Sequence, residues 1–154
     1  MKLNFIRAIA LFFAAYIIVT ILATATSETY GIISNAPPAA PGLSPVQAPV
    51  FQDTVPYHVL IMLIVWPIFA SIYFKKARNR NPAEEKSETR NLAFLWLALA
   101  ITVDFVGFVL IKHPYSLSAH AFYVDYQPWI TLIYISIFLS PWIRLIVSKQ
   151  PVRG

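Results

Sequence analysis

Four continuous apolar runs, separated by polar loops, organise this chain. They extend over Ala8 to Ser27, Tyr57 to Phe74, Asn91 to Ile111 and Trp129 to Val147. A helix needs about 20 apolar residues to cross the hydrocarbon core of a bilayer. All four runs approach or meet that length. A membrane β-barrel would need at least about eight strands with alternating in-out character. These runs are too few and do not alternate. Backbone groups left unpaired in lipid are intolerable, so each run is expected to be a helix. The predicted architecture is an all-α integral membrane protein. It is an up-down bundle of four transmembrane helices forming a single membrane domain over residues 1–154.

The loops differ in charge. Lys2 and Arg7 precede the first run. Lys75, Lys76, Arg78, Arg80, Lys86 and Arg90 lie between the second and third. Arg144, Lys149 and Arg153 close the chain, and Lys112 alone falls on the opposite side. Cytoplasmic loops concentrate Lys and Arg, so both termini are expected in the cytoplasm of a cell or inner membrane. Boundary aromatics agree: Tyr30, Tyr57, Tyr126 and Trp129 outside, Tyr73, Phe74 and Trp142 inside. The first run has a rival reading. Basic residues, an apolar stretch and Ala23-Thr24-Ala25 resemble a secretory signal peptide. The run's length, Tyr16 and its β-branched residues favour a retained helix.

Three loops follow from this layout. The external segment 28–56 carries Pro37, Pro38, Pro41, Pro45, Pro49 and Pro56, and is expected to be an extended connector. A docking segment or a flap over the bundle mouth is the sharper alternative. The cytoplasmic loop 75–90 mixes bases with Glu84, Glu85 and Glu88; Asn81-Pro82 marks a turn ahead of the third helix. The external loop 112–128 is rich in histidine, tyrosine and serine, and Ser118 is placed to cap a short interfacial helix.

Composition then narrows the function classes. The chain is 58% hydrophobic and 12% charged, too apolar to cover a soluble surface. Its net charge of +5 sits at the ends of apolar runs. That placement suits orientation and anionic headgroups rather than nucleic acid. Cysteine is absent, which removes disulfides, thiol chemistry and Cys-ligated metals. Walker, GxSxG and HExxH motifs are also absent. A single intramembrane acid cannot form the shared-proton dyad of an intramembrane aspartyl protease.

Asp104 is the strongest pointer to a site. An acid inside a transmembrane helix is expensive and normally faces protein or water. It lies about 12 Å in from Lys112 at helical rise. Counting inward from each external boundary brings Thr20, Trp66 and Tyr134 to the same depth. Gly107, one turn on, is expected to admit a neighbouring helix, with Ala93, Ala98 and Ala100 also at helix contacts. Pro67 and Pro141 are expected to kink their helices. The histidines His58, His113 and His120 share the external side with Asp125, and could in principle hold zinc or copper, although their spacing matches no metal motif. No cofactor is implied.

The leading expectation is a small non-enzymatic membrane protein. It would act through partners in the bilayer, as an accessory subunit of another membrane protein or as a homo-oligomer. A proton- or cation-coupled transporter using Asp104 is the second reading. An external-face lipid-modifying or metal-dependent enzyme is the third.

Overall fold

The computed structural model describes residues 3–75 and 81–148. Lys2, Lys76, Arg78, Arg80, Lys149 and Arg153 of the charge pattern lie outside the described residues. Four helices carry the fold: α1 (Phe5–Ser34), α2 (Pro49–Phe74), α3 (Pro82–Asp104) and α4 (Trp129–Ser148). A 3₁₀ turn covers Pro45–Gln47, and π-helical turns cover Phe105–Leu110 and Ala121–Asp125. The π turn at Phe105 continues α3, so that the third apolar helix runs from Pro82 to Leu110. All four helices are long and apolar enough to cross a membrane, which fits a multi-pass membrane protein. Large side chains such as Ile6, Ile17, Ile32, Ile64 and Ile146 face outward. Lipid is the solvent that tolerates such a surface.

The helices outrun the apolar stretches that announced them. α1 continues through Glu28, Thr29 and Tyr30 to Ser34, and Asn35 ends it in a left-handed conformation. Asparagine accepts that geometry more readily than most residues. α2 begins at Pro49 rather than at Tyr57, so Pro56 lies within it. A proline in the first turn forfeits no hydrogen bond, because the first N–H groups of a helix have no intrahelical acceptor. The expected connector over residues 28–56 therefore shrinks to Asn35–Ala48. α3 starts at Pro82, where the Asn81 side chain accepts from the Ala83 N–H at 3.1 Å.

Prolines inside the membrane are accommodated locally. Pro141 has no N–H to offer the Ile137 carbonyl four residues earlier. The buried Ser140 hydroxyl donates to that carbonyl instead, at 2.7 Å. Neighbouring hydroxyls satisfy proline-freed carbonyls in just this way.

Around the bundle, α1 packs along α2, α2 along α4, and α4 along α3, while α1 and α3 touch more lightly. An up-down bundle ordinarily packs sequence neighbours side by side, but α2 and α3 instead face each other across the diagonal. Trp66 of α2 and Trp96 of α3 meet there with ring centroids 5.3 Å apart. Phe12 of α1 joins them at 5.4 Å from Trp66. All three rings are fully buried. Large aromatics on the diagonal fill the axis and keep α2 and α3 apart. Small residues do the opposite work at the edges. A Cβ on Gly31 would come within 3.3 Å of the Val50 side chain, so α1 and α2 approach closely there. Ala93 and Ala100 are buried as expected, but Ala98 faces outward. Gly107 is not a contact point either: a methyl added there meets nothing within 4 Å. It lies in the π turn, whose wider winding shifts the register of the helix face after Asp104.

The loops that join α1 to α2 and α3 to α4 fold onto one another. Val46, Leu117, Phe122 and Ile130 form a second apolar cluster, with Phe51, Phe108 and Tyr126 against it. Leu117 N–H donates to the Phe108 carbonyl at 2.8 Å, drawing the loop back over the end of α3. The proline-rich connector contributes Ser44, Val46 and Ala48 as buried residues, so it forms part of a cap over the bundle mouth.

Candidate functional site

Polar side chains inside the bundle gather in three layers. The middle layer contains Asp104, at the last α-helical residue of α3 before the π turn. It is 6% exposed. The Tyr16 hydroxyl of α1 donates to its Oδ1 at 2.5 Å. Tyr134 of α4 lies within interaction range of Asp104 on one side and of Tyr123 on the other. Its hydroxyl is buried and makes no well-aligned hydrogen bond to either. Asp104 thus sits among phenols from α1 and α4, with Tyr123 of the cap beyond.

Of the residues placed at this depth from sequence, the structure brings Tyr134 to Asp104 and leaves two elsewhere. Thr20 is exposed and donates to the carbonyl of Tyr16 in its own helix, at 2.8 Å. The α1 residue that meets Asp104 is Tyr16, one turn earlier. The interhelical register explains the difference. Trp96 Nε1 donates to the Ala8 carbonyl at 3.0 Å, and Tyr16 and Asp104 each lie eight residues beyond that pair. Depth counted from an assumed boundary at Ser27 could not see this, because α1 continues past that point. Trp66 belongs to the aromatic axis beside Trp96, two turns from Asp104, and its indole N–H has no partner.

The layer nearest the cap joins α1 to α2. Thr54 donates to the Val50 and Phe51 carbonyls at 2.9 and 3.0 Å. Its single proton is thereby committed, so the Ser27 hydroxyl, 2.7 Å away, donates to it. Ser27 in turn accepts from His58 Nε2 at 3.1 Å. Ser27, Thr54 and His58 are all buried. Polar groups of this kind bind helices together in lipid.

The candidate metal ligands are not assembled. His58 is held between α1 and α2. His113 reaches back from the end of α3, where its Nε2–H donates to the Gly107 carbonyl at 2.7 Å and its Nδ1 accepts from the Tyr115 N–H at 3.1 Å. Both ring nitrogens are therefore used in closing the helix end. His120 and Asp125 do pair, with Nδ1 3.3 Å from the carboxylate, on the exposed face of the cap. Among the described residues, no three of His, Asp and Glu converge as metal ligands would. Ser118 caps the second π turn, accepting from the Ala121 N–H at 3.0 Å. Tyr126 lies half-buried under this cap with its hydroxyl enclosed, and desolvation pushes its phenol above the ordinary value, so it remains a neutral hydroxyl.

The layer at the end away from the cap is the one the sequence concealed. Glu88 reads as a solvated loop acid, yet it is 3% exposed. The Tyr73 hydroxyl donates to Glu88 Oε1 at 2.6 Å and accepts from the Asn4 N–H at 3.1 Å. Arg7 donates to the Ile72 carbonyl at 2.6 Å. Arg144 of α4 pairs with Glu85 of α3 and lies over the Phe74 ring at 4.4 Å. All four helices are thereby joined at this end by polar contacts. The signal available in the sequence was the helical spacing of Glu85, Glu88, Thr89 and Leu92 on one face of α3, which continues the buried face of the span.

No protein-family model, characterised protein or solved structure matches this chain.

Proposed function

We propose that this small integral membrane protein acts through a protein partner docked on its external cap. The partner would be another membrane subunit or a second copy of the chain. The observation that carries this reading is the order of the cap. Both external loops share one apolar cluster, when simple connectors would need none. Ordering a loop costs roughly 1–2 kcal/mol per residue in backbone entropy. On its outer face the cap carries Leu43, Tyr115 and Val124, each about half exposed, beside the His120–Asp125 pair. Exposed apolar residues rimmed by polar ones are the anatomy of a protein-docking patch.

The orientation proposed is an up-down bundle with both termini in the cytoplasm of a cell membrane. Its support is the charge pattern together with paired contacts along the helices. Asn4 meets Tyr73 while Ser27 meets Thr54, and Glu85 meets Arg144 while Phe94 meets Phe138. Those pairs favour alternating helix directions. The retained α1 is favoured by Phe12 and Ala15, which belong to the main core.

Two measurements test these statements. The chain has no cysteine, so single cysteines report topology cleanly. Ser118→Cys is expected to react with an impermeant maleimide on intact cells, and Ala83→Cys only after permeabilisation. The reverse pattern would invert the protein. A photo-crosslinking residue at Val124 is expected to give a discrete adduct in native membranes, while the same probe at lipid-facing Ile18 gives none. An adduct of twice the chain mass identifies a homo-oligomer, and any other defined mass an accessory subunit. Absence of a Val124-specific adduct would sink the docking reading.

A further inference from the structure

We propose that a groove between α1 and α2, at the cap end of the bundle, binds one membrane phospholipid with an ethanolamine headgroup. This goes beyond partner docking and stands on separate observations. The groove holds about 420 Å³. Leu22, Ala25 and Thr26 of α1 line its deep end, Tyr30 and Ile33 its shallow end, and Tyr57 forms the α2 wall. From Leu22 to Ile33 the α1 wall extends about 17 Å at helical rise.

The groove follows from residue size. Ala25 carries a single methyl group, and the Thr26 hydroxyl is spent on the Leu22 carbonyl of its own helix, at 2.8 Å. Tyr57, about half exposed, stands out from α2 beside these small side chains. A large ring next to small residues leaves a trough, whereas a lone helix offers lipid only a convex surface. The two walls are fixed to each other. Ser27 is bonded to Thr54 and His58, and Gly31 lets α1 close on Val50. A groove with fixed walls loses little freedom when it is filled.

Depth and charge select the occupant. The apolar run of α1 ends at Ser27, and Glu28 and Thr29 follow, so the groove straddles the end of that run. Its ligand is therefore amphipathic, with a chain at the deep end and polar groups at the shallow end. The hydroxyls of Tyr30 and Tyr57 have no protein partner among the described residues, so both are free to donate to phosphate or ester oxygens. Asp53 lies one turn from Tyr57 on the same face of α2. The Ser27–Thr54 contact sets Asp53 level with the shallow half of the groove. Asp53 is exposed and has no ion-pair partner. Residues 28–56 contain no Lys or Arg, the side chains that hold anionic headgroups. A carboxylate only accepts hydrogen bonds, and a primary ammonium supplies three donors. Ethanolamine offers that ammonium; choline, fully methylated, offers no N–H.

The experiment is native mass spectrometry of the full chain released from nanodiscs with equal parts phosphatidylethanolamine, phosphatidylcholine and phosphatidylglycerol. One retained lipid is expected, with phosphatidylethanolamine favoured over both others. Ala25 is exposed, so Ala25→Trp fills the groove from the lipid side and is expected to lose the retained lipid. Tyr57→Ala removes the α2 wall and should lose it as well, which keeps the test open if the tryptophan variant does not fold. Asp53→Asn should still retain a lipid but lower the ethanolamine preference by about two- to fivefold, the scale of an exposed ion pair. A photo-crosslinking residue at Ala25 in native membranes should label phospholipid. The proposal is overturned by no retained lipid, by equal retention of the three classes, by preference for phosphatidylglycerol or phosphatidylcholine, by an unchanged preference in Asp53→Asn, or by a protein adduct at Ala25. The Val124 adduct reads partner docking separately, so either statement can fail alone.

Discussion

Trp96→Ala is expected to destabilise the bundle by about 3 kcal/mol, near the lower end of the range for removing a buried aromatic. In lipid the loss is not chiefly one of hydrophobic transfer, because acyl chains are as apolar as the core. What disappears is packing on the bundle axis. Trp96 is fully buried, contacts the Trp66 ring and donates to the Ala8 carbonyl. It therefore joins α3 to α2 by dispersion and to α1 by a hydrogen bond. The conservative variants separate these contributions. Trp96→Phe keeps most of the ring volume and loses the hydrogen bond, for an additional cost of about 1 kcal/mol. Trp66→Phe removes an indole N–H that has no partner, so it relieves a desolvation penalty while opening a similar gap. Reversible unfolding in mixed micelles should therefore rank Trp96→Ala as worst, then Trp96→Phe, then Trp66→Phe. Equal losses in the two phenylalanine variants would show that the Trp96–Ala8 bond contributes nothing.

The same bond marks the boundary between what the sequence discloses and what it hides. Continuous apolarity announces a membrane helix, because lipid leaves no alternative for the backbone, and all four runs became helices. Their ends are less visible. Ser27 to Ser34 is too polar to look like a span, yet its backbone simply continues the helix already nucleated by the apolar turns before it. Pro49 stands in a proline-rich stretch that reads as extended chain, although a proline at the first helical position begins a helix as well as it prevents one from continuing.

Asp104 was legible because a lone acid in an apolar run has no local explanation. Its α1 partner was not, because depth depends on how helices slide past one another. That sliding is settled by Trp96 against Ala8, eight residues away, and it delivers Tyr16 rather than Thr20. Gly107 misled for a related reason: a small residue permits a close approach but does not cause one, and the π turn aims that face elsewhere. The histidines were expected to share one side. Three-dimensional geometry then dispersed them, with His58 tied to Ser27 and His113 tied to the π turn at Gly107.

Glu88→Ala is the second substitution expected to have a large effect, at about 2–3 kcal/mol, the scale for removing a short hydrogen bond to a buried acidic side chain. The Tyr73 hydroxyl that donates to Glu88 also receives the Asn4 N–H, so the loss reaches three helices. Tyr73→Phe should cost less, since it removes one oxygen and keeps the ring against Phe74. A double-mutant cycle between Tyr73→Phe and Glu88→Ala isolates the pair. Interhelical hydrogen bonds in membrane bundles average about 0.6 kcal/mol in such cycles. A bond of 2.6 Å to a buried acid should exceed that average, with a coupling of about 1–2 kcal/mol. Glu85 supplies the control on the same helix, because its side chain is 22% exposed and pairs with Arg144 at the rim. Partial exposure admits water to a broken pair, so Glu85→Ala should cost less than Glu88→Ala. If the two losses were equal, burial at this end of α3 would not govern stability.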